Sequence, residues 1–213
     1  MTDPILKEFL QDLETRLPDW IASKSNGDFS LDSALTAFRT EFMSNFPPER
    51  AAVMREATDQ LRQELAGRKR LIAGDLAPQF KLPNQKGSQI SLEHRLAKGP
   101  VIVVFYRGAW CPYCNLTLRT YQSNLDRIVS AGGSLIAISP QLPEVTAQTA
   151  TNNSLGFDVV SDVGSSVAAA YNVAFRLPSA LRELYQEIGH PLPNFNGSGQ
   201  WTLPVPGTFV IGR

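Results

Sequence analysis

Cys111 and Cys114 are the only cysteines in this chain, and Pro112 and Tyr113 separate them. Two thiols at this spacing can close a small disulfide, and at the start of a helix the free backbone N–H groups stabilise a thiolate. The pair therefore points to redox chemistry. Pro112 suits a first helical position, because its φ is already near the helical value and no useful donor is lost. This places Cys111 at the helix mouth and Cys114 in the first turn. On that geometry Cys111 is the attacking thiolate, exposed at the tip. Cys114 is the resolving thiol, in register with Leu118, Tyr121 and Leu125 on the face towards a sheet. So small a ring constrains the unfolded chain little, so the disulfide is expected to cycle and not to staple the fold. Inert core thiols are the bland alternative, and the order of strand, Trp110, proline and helix around the pair argues against it. A zinc site needs four ligands, and only His94 and His190 remain, without paired spacing. No metal or cofactor is expected.

The elements that must position the pair can be read outward from it. Val101–Tyr106, introduced by Pro100, is a continuous β-branched and aromatic run of the kind buried on both faces of a sheet. The helix from Pro112 is expected to carry Leu118, Tyr121, Leu125 and Ile128 on one face and to stop near Gly132 and Gly133. Ser134–Ser139 then reads as a second buried strand, parallel to the first across the helix. Helices follow from Pro143 to about Asn153, from Gly164 to Tyr171 and from Pro178 to Ile188, with a short strand at Phe157–Val160. Gly207–Ile211 is the last strand, entered through Leu203-Pro-Val-Pro206. Upstream, residues 79–82 and 89–92 alternate apolar with polar and should form a hairpin turning at residues 84–87.

Before Gly74 the pattern is helical. Apolar residues recur at helical steps over residues 5–21, with Pro18 near the end. They recur again at Leu31, Leu35, Phe38, Phe42 and Phe46 behind the capping candidate Ser30, and from Pro47 and Pro48 through Met54, Ala57, Leu61 and Leu65 towards Gly67. The domain reading is thus a helical extension over residues 1–73 and an α/β domain over 74–213. The extension gathers no catalytic groups, and its helices are expected to pack on the main domain or on another subunit, which would make a homodimer.

Twenty basic residues balance twenty acidic ones, and 43% of the 213 residues are hydrophobic. Such a chain can fill an ordinary core and has no global field to attract nucleic acid or an anionic membrane. Arg68-Lys69-Arg70 complements a helix C-terminus and is not taken as a nucleic-acid contact. Charges interrupt the N-terminal residues as no signal peptide would allow, and no apolar run reaches membrane-spanning length. The expected location is the cytoplasm, where a CxxC near alternating strands and helices reads as a redox motif.

Residues 74–92 and the segment Phe105-Tyr-Arg-Gly-Ala-Trp-Cys-Pro-Tyr-Cys114 together resemble the alkyl hydroperoxide reductase and thiol-specific antioxidant (peroxiredoxin) family, in its CxxC-containing branch. The resemblance covers about residues 74–213. It implies a thioredoxin fold, a central mixed sheet flanked by helices. It also implies a thiol-dependent peroxidase that reduces hydrogen peroxide or organic hydroperoxides and is regenerated by thioredoxin or a similar dithiol. A thioredoxin- or glutaredoxin-like thiol–disulfide oxidoreductase is the alternative. Counting from Phe-Tyr puts Cys114 on the family's peroxidatic cysteine and Cys111 on its active-site threonine, which would leave Cys111 as the resolving thiol. The motif and the helix geometry thus disagree over which sulfur attacks. Arg107 stands where peroxiredoxins have proline, and Pro206 falls where they have a distant arginine. Pro206 resembles instead the cis-proline that faces the CxxC of thioredoxins. Arg107, Trp110 and Pro206 are accordingly the expected substrate-binding residues. Relatives continue past a strand like Gly207–Ile211 with a further strand and helix, so this sequence reads as a truncated or short form.

Overall fold

A computed structural model gives the architecture, describing residues 30–197 and 199–212 together with Asp12 and Thr15. Of the helix expected over residues 5–21, only Asp12 and Thr15 are described, both helical, and the rest lies outside the described residues. The chain forms two compact units, residues 1–68 with Leu177–Pro191 and residues 69–176 with Leu192–Arg213.

In the first unit, Leu31–Asn45 forms α1 and Pro48–Ala66 forms α2. Ser30 caps α1, its hydroxyl accepting the Ser33 N–H at 3.1 Å, which satisfies one of the donors a helix start leaves free. The four-residue spacing of Phe38, Phe42 and Phe46 stacks their rings at centroid separations of 6.4 and 5.0 Å. Pro48 opens α2 as expected of a first-turn proline. A further helix of this unit, Ser179–Glu187 (α8), buries Leu181, Leu184 and Tyr185 and packs against α2, with Arg50 3.8 Å from Glu187. The first unit runs to Arg68, where the sequence reading has a helical extension over residues 1–73. Residues 177–191, far downstream, join the N-terminal helices, because the apolar stripe of α8 is covered there.

In the second unit, Lys81–Pro83 (β1) and Gln89–Ser91 (β2) pair antiparallel around a turn in which Gly87 has φ +78°. The side chain of Asn84 holds this turn, accepting the Lys86 and Ser88 N–H groups. Leu92–Leu96 (α3) leads to Val101–Phe105 (β3), and Pro112–Ser123 (α4) follows. Leu125–Ser130 (α5), Ser134–Ser139 (β4), Pro143–Asn152 (α6) and Asp158–Ser161 (β5) come next. Ser166–Ala170 (α7), Ala174–Arg176 (β6), Leu192–Asn196 (α9), Thr202–Pro204 (β7) and Gly207–Ile211 (β8) complete the unit.

The main sheet has the order β5-β4-β3-β8, with β3, β4 and β5 parallel and β8 antiparallel to β3. One face buries Val101, Val103, Phe105, Ile136, Ile138 and Val160 with Phe80, Ile90, Leu92, Val167, Ala168 and Tyr171. The alternate residues Val104, Leu135, Ala137 and Val159 point the other way and are buried too. Burial on both faces is why these strands read as unbroken apolar runs.

Several expectations need correction. The single helix expected from Pro112 to near Gly132 and Gly133 is two, broken at Asn124, whose ψ is 7°. Its amide donates to the Thr120 carbonyl at 2.9 Å and accepts from Arg127 at 2.8 Å, competing with the helical backbone. Residues 203–206 are not simply an entry to the last strand, because β7 pairs antiparallel with β6. The short helices α3 and α9 have too few turns to show a period in sequence.

Phe105 meets Tyr171 and Phe209 at ring centroid distances of 5.1 and 5.8 Å. Phe105→Ala should therefore cost about 3–5 kcal/mol, as other buried aromatic truncations do. A urea unfolding midpoint that stays within error of wild type would contradict this packing.

Candidate active site

The pair sits where β3 leaves the sheet. Tyr106 still donates its N–H to the Ile138 carbonyl at 3.0 Å, and residues 107–110 then turn into α4. Cys111 is the N-cap of α4, in extended geometry with φ −96° and ψ 106°, and Pro112 takes the first turn. The cap is made by sulfur, with the Cys114 N–H donating to Cys111 Sγ at 3.4 Å. Cys114 Sγ lies 2.8 Å from Cys111 Sγ and donates to it, and both thiols are free.

Arg107 closes the arrangement. Its Nη2 donates to Cys111 Sγ at 3.1 Å, its backbone N–H donates to Cys114 Sγ at 3.4 Å, and its guanidinium lies 5.7 Å from the Trp110 ring centre. Cys111 is consequently 0% exposed and Cys114 3%. The expected exposed tip is thus a covered one, since Arg107 folds back over the sulfur that helix phase alone would leave open.

Burial by itself would raise the Cys111 thiol. The Cys114 thiol donor, the Arg107 charge and the Cys114 backbone N–H outweigh that and bring it from the ordinary 9.0 down to about 6. Burial pushes Cys114 well up instead, reinforced by the hydrogen bond it gives Cys111 and by the negative charge there. Both shifts favour the negative charge on Cys111 and the proton on Cys114. Burial also pushes the Tyr106 hydroxyl up to about 12, against opposing hydrogen bonds from Ser139, Thr149 and Gln141.

Of the five expected site residues, the fold brings Arg107, Trp110, Cys111 and Cys114 together. Pro206 lies one residue beyond the Gly207–Phe105 pair, at the end of the same sheet, and is exposed. All peptide bonds among the described residues are trans, so Pro206 departs from the thioredoxin cis-proline. The Val205 N–H donates to the Val173 carbonyl at 2.8 Å, extending the β6–β7 pairing up to the proline in an ordinary trans chain. His94 is exposed on α3, and His190 follows α8 in the other unit. Among the described residues no three His, Cys, Asp or Glu side chains gather as metal ligands.

Sequence reasoning missed the polar side chains behind the loop, Gln141 and Asn115. Gln141 accepts the Ala109 N–H, and Asn115 donates to the Ala109 carbonyl at 2.8 Å. One signal was available, a glutamine just past the C-terminal end of a buried parallel strand, where α/β sheets build sites.

Residues 73–213 match the AhpC/TSA family over two thirds of the chain. The chain belongs to the AhpC/TSA family. It is 34% identical over 103 residues to Peroxiredoxin Bcp of Escherichia coli, 48% of this chain and 65% of that protein. The chain thus spans less than two thirds of the length of the curated relatives it matches first. Among solved structures it resembles Peroxidoxin BcpB from Mycobacterium tuberculosis, with TM-score 0.52 and 26% identity over 65% of this chain and 77% of that one. A PrxQ cysteine-to-serine variant from Xylella fastidiosa, 15% identical with TM-score 0.54, covers 68% of this chain and 81% of its own and shares the fold. The α/β unit of this AhpC/TSA chain is accordingly a thioredoxin fold. No helix among the described residues is long and apolar enough to cross a membrane.

Removing the guanidinium as Arg107→Met should move the half-thiolate point of Cys111 up from about 6 by about one pH unit or more, since it deletes both a charge and a donor. The rate of iodoacetamide alkylation against pH, with the modified residue located by mass spectrometry, reads this directly. Unchanged profiles would mean that Arg107 does not hold the charge. In wild type the depressed Cys111 value contributes stability that is fully present above the ordinary 9.0 and is lost as pH falls through about 6. Unfolding of the reduced protein should therefore be less sensitive to pH over that window in Cys111→Ser.

Proposed function

We propose that this chain reduces hydrogen peroxide or organic hydroperoxides with its dithiol and is recycled by thioredoxin or a similar dithiol. Membership of the AhpC/TSA family and relatives named as peroxiredoxins support the reaction class. The observation that carries the residue roles is Cys111 Sγ held between the Arg107 guanidinium at 3.1 Å and the Cys114 thiol at 2.8 Å.

In this reading the Cys111 thiolate attacks the terminal peroxide oxygen. The O–O bond breaks, Cys111 becomes a sulfenic acid, and the departing alkoxide or hydroxide takes the Cys114 proton. Arg107 stabilises the charge on sulfur before attack and on oxygen as it develops. Cys114, now a thiolate, attacks Cys111 Sγ, the S–O bond breaks as the disulfide closes, and the leaving hydroxide takes a proton from solvent to become water. The external dithiol then reduces that disulfide by two exchange steps. The motif resemblance would give Cys114 the first attack, but its sulfur has one backbone donor and a neighbouring negative charge, whereas Cys111 has three donors. Thiol–disulfide exchange with a protein substrate is the alternative. It is less well supported, because a sulfur that is 0% exposed suits a small peroxide better than a second disulfide.

Stoichiometric peroxide added to the reduced protein with a sulfenic-acid trap tests the assignment by mass spectrometry. The Cys114→Ser variant should carry the adduct on Cys111, Cys111→Ser should carry none, and wild type should collapse to one internal disulfide. An adduct on Cys114 formed at the wild-type rate in Cys111→Ser would return the first attack to Cys114. Absence of peroxide reaction together with fast exchange at Cys111 against a small disulfide would favour the oxidoreductase.

A further inference from the structure

The loop that carries Arg107 and Trp110 is short, and its backbone is held from both sides by side chains outside the CxxC motif. Gln141 is 0% exposed and stands two residues past β4. Its Oε1 accepts the Ala109 N–H, and its Nε2 donates to the Tyr106 hydroxyl at 3.2 Å and to Thr149 Oγ1 at 3.1 Å. From the opposite side Asn115 Nδ2 donates to the Ala109 carbonyl at 2.8 Å. Asn115 is itself held, its Oδ1 accepting from Asn153 at 3.3 Å, while Arg119 Nε donates to Asn153 Oδ1 at 2.7 Å. Both polar backbone atoms of Ala109 are thus taken by buried amides that cannot easily rotate away, since each has other partners to lose.

Gly108 shows how closely these parts fit. A Cβ there would lie 2.4 Å from Trp110 Nε1 and 3.0 Å from Gln141 Oε1, so the loop has no room to shift towards either. The Cys111 N–H donates back to the Gly108 carbonyl at 3.1 Å, which links this backbone to the helix mouth. Arg107 therefore leaves a backbone fixed two residues later by Gln141 and four residues later by the cap of α4. A long flexible side chain reaches a sulfur atom at low entropic cost only from such a fixed origin.

We propose that Gln141, acting with Asn115 on Ala109, is a positioning residue that holds the Arg107 guanidinium on Cys111 Sγ. It touches neither thiol and works through Arg107. The proposal rests on Cys111 being the reactive thiolate, but it does not depend on which oxidant that thiolate meets.

The test is a double-mutant cycle read by alkylation of Cys111 against pH, with no peroxide present. Gln141→Met keeps much of the volume and removes both polar ends. It should raise the half-thiolate point by about one pH unit, the scale on which one neighbouring charge or donor acts. In an Arg107→Met background the same change should add nothing. Asn115→Ala should shift the profile in the same direction from the carbonyl side, and it decides alone if Gln141→Met lacks a native near-ultraviolet circular dichroism spectrum. An unmoved profile accompanied only by a lower unfolding temperature would reduce Gln141 to a structural residue and overturn the proposal. An equal shift in both backgrounds would overturn it as well, because the effect would then bypass Arg107. Loss of peroxide reduction with the expected alkylation cycle intact would remove the proposed reaction and leave the positioning role standing.

Discussion

A negative charge on sulfur, covered from solvent, is the constraint to which the α/β unit answers. A thiolate with no exposed surface would ordinarily take up a proton, because burial penalises the charged form. Here three donors converge on Cys111 Sγ: a guanidinium, a thiol, and the backbone N–H of Cys114 in the first turn of α4. The two cysteines are chemically alike, so the asymmetry between them comes entirely from who donates to whom. Cys111 receives and Cys114 gives, which favours the charge on the first sulfur and the proton on the second.

This asymmetry needs a rigid origin, and the sheet supplies one. β3 is paired on both sides, by parallel β4 and antiparallel β8, so its C-terminal end is fixed before the loop begins. The aromatic cluster of Phe105, Tyr171 and Phe209 anchors the last strand residue from below. Beyond it the hydrophobic core gives way to a layer of satisfied amides and hydroxyls, Gln141, Asn115, Thr149 and Asn153, none of which is ionised. Neutral polar groups can brace a loop next to a thiolate without competing for its charge.

The helical unit obeys a simpler logic. Its elements bury apolar stripes, phenylalanines at four-residue spacing in α1 and leucines with Tyr185 in α8, and among the described residues it gathers no reactive groups. The AhpC/TSA match begins at residue 73, so the first unit's α1 and α2 precede the family segment, whereas α8 is drawn from inside it.

How much of this was legible in the chain follows the range of the forces involved. Local patterns determined the strand Val101–Phe105, the helix opening at Pro112, the Ser30 cap, the parallel β3–β4 pair and the dithiol, because β-branched runs, proline at a first turn and a CxxC act within a few residues of themselves. The break at Asn124 was local too, but its cause was a side chain competing with the backbone, which periodicity does not register. Only the tertiary structure decided that Cys111 is covered, that Pro206 stays trans and exposed, that residues 177–191 join the N-terminal helices, and that Gln141 and Asn115 meet at Ala109. Each of these depends on what a side chain meets across the fold, and burial and hydrogen-bond partners are properties of that meeting, not of the residue that makes it.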